Sequence, residues 1–104
     1  MYVSISIGEE DLELIMGKAY GSAYPAALQS AHCPRCRLPD NAELLPERLW
    51  LNPAGDVLVQ GACRQCGGAV EKLIETGIDP VQFDQAMAIR DYKIEISKDY
   101  EVKV

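Results

Sequence analysis

Hydrophobic and polar positions alternate at the start of the chain. Val3, Ile5 and Ile7 fall on one side and Tyr2, Ser4 and Ser6 on the other, the period of a half-buried strand. The pattern then changes. Leu12, Ile15, Met16 and Ala19 stand at i, i+3, i+4 and i+7 behind the acids Glu9, Glu10 and Asp11. This predicts a short helix over about 9–20, with its acids at the positive end of the helix dipole. Gly17 weakens the later part of that helix. The stretch 21–31 is small and polar, contains Pro25, and reads as a loop or a short helix. In the middle of the chain, Arg48–Leu51 and Val57–Gln60 read as two strands. The dense turn chemistry of Asn52-Pro53-Ala54-Gly55-Asp56 joins them into a hairpin.

Residues Ala69–Thr76, closed by Gly77, fit either a strand or a short helix, because Val70, Leu73 and Ile74 also match helical spacing. A second helix is expected over Asp79–Arg90, with Asp79 as its cap and Pro80 in its first turn. After it, Ile94 and Ile96 alternate with Lys93, Glu95 and Ser97, and Tyr100, Val102 and Val104 alternate with Glu101 and Lys103. The Ser97-Lys98-Asp99 link makes these two segments an expected terminal hairpin. The N-terminal strand could join that hairpin, with the two helices covering one face of the resulting sheet. The expectation is an α+β fold, a single domain spanning 1–104.

Composition narrows the class. The chain has 104 residues, is 48% hydrophobic and 25% charged, and carries a net charge of −6. It can bury a modest core, near the lower end of comfortable stability, so a metal staple would help it. Ten basic residues against sixteen acidic ones repel a phosphate backbone unless the basic groups gather on one face. They are instead spread along the sequence, which argues against nucleic acid and an anionic membrane surface. No apolar run approaches the roughly 20 residues of a membrane span. The N-terminal stretch lacks the basic region and apolar core of a secretory signal. A cytoplasmic location is therefore expected, and there four cysteines are metal ligands more readily than disulfides.

The four cysteines are Cys33-Pro34-Arg35-Cys36 and Cys63-Arg64-Gln65-Cys66, followed by Gly67. Two residues between cysteines is the spacing at which a tight turn points both sulfurs at one ion. Two such turns, opposed across a hairpin, supply the tetrahedral thiolate set that Zn2+ accepts. Gly67 suits a chain leaving such a turn with a positive φ. Cys33, Cys36, Cys63 and Cys66 are thus expected to hold one structural zinc ion.

Over 32–68 the chain resembles the zinc-ribbon superfamily, through both CxxC knuckles, the hairpin between them with Trp50, and the turn Asn52–Asp56. Arg37 stands where many ribbons carry a glycine. The resemblance implies a small metal-braced β-hairpin module, flanked here by terminal strands and two short helices. It implies a rigid platform with no open coordination position. Ribbons occur in transcription factors, ribosomal proteins, enzyme appendages and small adaptors, so the resemblance does not choose a task.

Three other uses of the cysteines stay open: a rubredoxin-like iron site, a redox-active Cys33–Cys36 pair, and two structural disulfides. A redox pair normally opens a helix, and Leu38-Pro39 argues against one there. A single histidine, His32, beside a ligand leaves no credible nucleophile system, and it reads as a knuckle-flanking residue. Arg35, Arg37 and Arg64 read as groups that offset the charge of the centre, and Trp50 as a packing residue. Every strong feature is a structural device. The expected function is a non-catalytic, zinc-stabilised interaction or adaptor protein that binds another protein or itself. The alternatives are a nucleic-acid-binding ribbon using Arg35, Arg37, Arg48 and Arg64, and an enzyme accessory, redox or metal-carrier protein.

Overall fold

A computed structural model describes residues 3–36 and 43–103. Tyr2, Arg37, Leu38, Pro39 and Val104, named above, lie outside the described residues. The chain is α+β. Among the described residues five strands form one antiparallel sheet, β1 (Ser4–Ile7), β2 (Leu44–Leu51), β3 (Val57–Cys63), β4 (Ala69–Ile74) and β5 (Val102–Lys103), in the order β4-β3-β2-β1-β5.

The alternation at the N-terminus is that of β1, with Ile5 and Ile7 buried. Its helix follows at once as α1 (Glu9–Met16), where the Asp11 carboxylate accepts from the Gly8 N–H at 2.9 Å. Gly17, at φ +59°, ends it. A 3-10 turn over Gly17–Ala19 then leads into α2 (Tyr20–Gln29). The stretch 21–31, left open between loop and helix, is thus mostly helix. Pro25 lies inside α2, where its missing N–H leaves the Gly21 carbonyl without its helical donor. Tyr24 fixes α2 to α1 by donating to Glu9 Oε2 at 3.0 Å, and it stacks on Tyr20 of its own helix with ring centres 5.2 Å apart.

The central hairpin is longer than its sequence signal. The pairing runs from Leu44↔Cys63 to Leu51↔Val57, with a bulge between Pro46 and Arg48. Residues 69–74 form a strand, not a helix, since they complete the ladder of β3 from Val57↔Ile74 to Ala62↔Ala69. The last helix, α3 (Pro80–Tyr92), begins as expected, with the Asp79 carboxylate accepting from the Val81 and Gln82 N–H groups.

The terminal hairpin does not form. Lys93–Ser97 continues α3 as a π-helical turn, which ends at Lys98 in the left-handed region. Only Val102–Lys103 is extended, and it pairs with β1. Four alternating positions are too few to separate a strand from the end of a helix. Tertiary contacts decide: Lys93 Nζ lies 3.2 Å from the part-buried Asp11 carboxylate, and Ile94 packs on the core.

One face of the sheet carries Ile5, Ile7, Leu49, Leu51, Val57, Val59 and Val70, packed against Leu12, Ile15, Met16, Tyr24 and Ala86 of the helices. Fully buried members such as Ile5 and Leu51 each contribute about 1.5–3 kcal/mol. Cys33, Cys63 and Leu44 belong to the same cluster, so the cysteine end of the hairpin and the helical core share one interior.

Candidate metal centre

Each cysteine pair is delivered by a different kind of structure. The first follows α2, whose last turn is closed by the Ser30 N–H donating to the Ala26 and Ala27 carbonyls. Ala31, fully buried, then leads into Cys33-Pro34-Arg35-Cys36. The second pair is the turn between β3 and β4. Within it the Gly67 N–H donates to the Cys63 carbonyl and the Cys63 N–H to the Gly68 carbonyl, both at 2.8 Å. Gly67 has φ +73°, which a residue with a Cβ adopts only at a cost.

These two turns bring their sulfurs together. The four sulfur atoms all lie within 4.8 Å of one another. The close pairs run between the turns: Cys33 to Cys66 at 3.5 Å and Cys36 to Cys63 at 3.6 Å. Sulfurs placed about 2.3 Å from a central ion in a tetrahedron would be about 3.8 Å apart, so the cluster has the size of a four-thiolate shell. All four are free thiols. Cys33 and Cys63 are buried, Cys36 is half-buried and Cys66 is exposed. The group can hold a single metal ion, and its all-sulfur donor set suits a soft or borderline cation.

The surrounding backbone is arranged for thiolates. The Gly68 N–H points at Cys66 Sγ from 3.4 Å. The N–H of Cys66, then that of Gln65, holds the Cys63 thiol down to about 7 against the pull of burial. Cys36 is pushed the other way, up to about 12, because its hydrogen bonds with Cys66 and Cys63 keep the proton on it. Four clustered thiols cannot all ionise together without a cation among them.

The other residues singled out in the sequence fall into place around this centre or away from it. His32 is exposed beside Cys33. Arg35 lies over the second turn, so that a Cβ on Gly68 would sit 2.7 Å from its Cδ. Arg64 pairs with Glu43 across the base of the hairpin, where the Arg64 N–H also donates to the Glu43 carbonyl at 2.9 Å. Trp50 is at the far end of β2 and buried. Its Nε1 donates to Gln60 Oε1 at 2.6 Å, and the Arg48 guanidinium lies 5.6 Å from the ring centre. Arg48 in turn pairs with Glu101. Among the described residues, Arg35 and Arg64 lie at the cysteine turns, whereas Arg48 lies with Trp50 further along the hairpin.

Sequence reasoning missed Gly68 and Glu43. A Cβ on Gly68 would displace the exposed Arg35 side chain and lie 3.3 Å from Cys66 Sγ, and only its place directly after Gly67 hinted at that. No signal in the sequence marked Glu43.

No known protein family, curated protein or solved structure matches the chain. The reading of this centre therefore rests on its own geometry. Among the described residues no helix is long and apolar enough to cross a membrane.

Proposed function

We propose that this protein binds one structural zinc ion through Cys33, Cys36, Cys63 and Cys66, in a zinc-ribbon-like module, and acts as a non-catalytic interaction protein in a reducing, cytoplasmic setting. The observation that carries the reading is the meeting of four free sulfurs within 4.8 Å of one another. Zinc is the natural occupant because it accepts four thiolates tetrahedrally and has no redox chemistry of its own to manage. A filled four-sulfur shell leaves no position for a substrate, so the ion would brace the two turns and supply no reaction.

A partner-binding role is favoured over nucleic acid by the state of the arginines. Arg48 and Arg64 are each paired with a glutamate, and the chain is net negative. Both facts weaken attraction to phosphates.

The test is elemental analysis of the purified protein, followed by chelation. One zinc per chain is expected. Its removal should lower the melting temperature by more than about 10 °C, since metal binding and folding are coupled. Amide protection should be lost first at Ala31–Cys36 and Cys63–Gly68. Iron with visible absorption would move the reading to electron transfer. A chain without metal, or one whose melting is indifferent to chelation, would overturn it.

A further inference from the structure

We infer that the free edge of β4 takes an extended, antiparallel strand from a partner protein, with a cationic residue opposite Glu71, an acidic one opposite Lys72 and an apolar one opposite Leu73. This deepens the interaction role proposed above and rests on it.

β4 ends the sheet and pairs with β3 alone among the described residues. Its register runs without a bulge from Val57↔Ile74 to Ala62↔Ala69. Just beyond it the Cys63 N–H donates to the Gly68 carbonyl at 2.8 Å. That bond fixes the alternation of the ladder. Gly68, Val70, Lys72 and Ile74 turn their N–H and carbonyl groups to β3, while Ala69, Glu71 and Leu73 turn theirs outward. Among the described residues none of these outward groups has a hydrogen-bond partner. No proline interrupts the strand. The edge therefore offers an unbroken row of donors and acceptors to an added strand.

Two rows of side chains cross the sheet on the face away from the helices and stop at this edge. One is apolar. Trp50 stands opposite Leu58 and Leu58 opposite Leu73, and Leu73 is 45% exposed. The other is polar. Trp50 Nε1 donates to Gln60 Oε1 at 2.6 Å, and Gln60 Nε2 donates to Glu71 Oε1 at 2.7 Å. Glu71 is exposed and ends this relay. An apolar residue added opposite Leu73 prolongs the first row, and a lysine or arginine opposite Glu71 prolongs the second. Lys72 lies half-buried on the helical side with Val70, and an acid opposite it would meet its charge.

The same charges disfavour a second copy of the chain. Two identical antiparallel edges meet about a two-fold axis, so the residue at the centre faces itself. Centring on Glu71 or on Lys72, in the middle of the strand, puts like charges directly opposite each other, which destabilises the pair. Centring on Val70 or on Leu73 leaves much of the strand past the end of its copy. Chains that each carry a net charge of −6 also repel one another. A strand from a different protein is free to carry its charges in the complementary order.

The experiment uses the full chain, isotope-labelled, with its metal content measured beforehand and its mass followed by sedimentation. The probe is a capped hexapeptide, threonine-valine-glutamate-lysine-valine-threonine. Its controls are the same peptide N-methylated at its first valine and its lysine, and one with lysine and glutamate exchanged. Only the probe should shift the amides of Ala69–Ile74 and slow solvent exchange at those of Ala69, Glu71 and Leu73. Glu71→Lys, with a dispersed spectrum to show that it is folded, should bind the probe about fivefold more weakly. A peptide with glutamate in place of the lysine should recover that loss. Absence of shifts in the metal-loaded monomer overturns this inference and leaves the metal reading standing. Shifts confined to other strands, or indifferent to methylation and charge order, overturn it too. A dimer that protects the same amides without peptide overturns it in favour of a second copy. Binding by a folded chain that holds no metal upholds the edge and overturns the metal reading instead.

Discussion

At Cys63 the N–H groups of Cys66 and Gln65 favour the thiolate and hold it at about 7, while at Cys36 the neighbouring thiols retain the proton up to about 12. The two opposite shifts predict a pH profile for the reduced, metal-free chain. The ordinary value is 9.0 for both. Cys63 is depressed on folding, so its contribution is complete above pH 9 and lost as pH falls through 7. Cys36 is raised, so its contribution is complete below pH 9 and lost as pH rises through 12. Urea midpoints of the metal-free protein should therefore rise from pH 7 to 9 and fall beyond it. Cys63→Ser should abolish the rising limb and Cys36→Ser the falling one. A flat profile would show that the four sulfurs do not cluster in the absence of metal. The cap of α3 was legible at this same scale, because Asp79-Pro80 is a local signal that needs no distant partner.

Elements are held together by close approaches at a few small residues. At the bulge in β2 the Leu45 carbonyl comes so near β3 that a Cβ on Gly61 would lie 1.9 Å from it. Backbone cannot yield as a flexible side chain can, so Gly61→Ala should cost about 3 kcal/mol. A shift in the urea midpoint without a change in slope would report it. An unchanged midpoint would mean that the bulge relaxes freely. The limits of β2 and β3 were misjudged for a related reason. Pro46, Glu47 and Gly61 carry no strand signal, and only the partner strand keeps them extended.

Across the whole molecule, α3 is tied to the sheet by one cation. Arg90 is 5% exposed. Its Nη1 donates to the Leu51 carbonyl at 2.9 Å and its Nη2 to that of Val3, joining β2 and β1 to the helix above them. Burial lowers the pKa of its guanidinium. Arg90→Leu would leave the buried Leu51 carbonyl and the part-buried Val3 carbonyl without those donors, at a cost of about 3 kcal/mol. The melting temperature should fall by roughly 10 °C or more. A variant that melts like the parent would exclude Arg90 as the pin. Arg90 was read only as the end of a helix, because nothing in its neighbours along the chain shows that it is buried.

What the sequence determined by itself is whatever depends on spacing within a few residues. Two CxxC turns, the Asn52–Asp56 turn, the alternation of β1 and the Asp79 cap are all of this kind, and the two CxxC turns marked the residues of the four-cysteine cluster. Tertiary structure decided the rest. It chose a strand for Ala69–Ile74, because β3 needed a neighbour. It chose a helical continuation for Lys93–Ser97, because Asp11 and the core lay beside it. It also made the hairpin the middle of one five-stranded sheet. Short segments have nearly equal local preferences for helix and strand. The hydrogen bonds and buried area offered by distant partners exceed that small difference, and so decide the outcome.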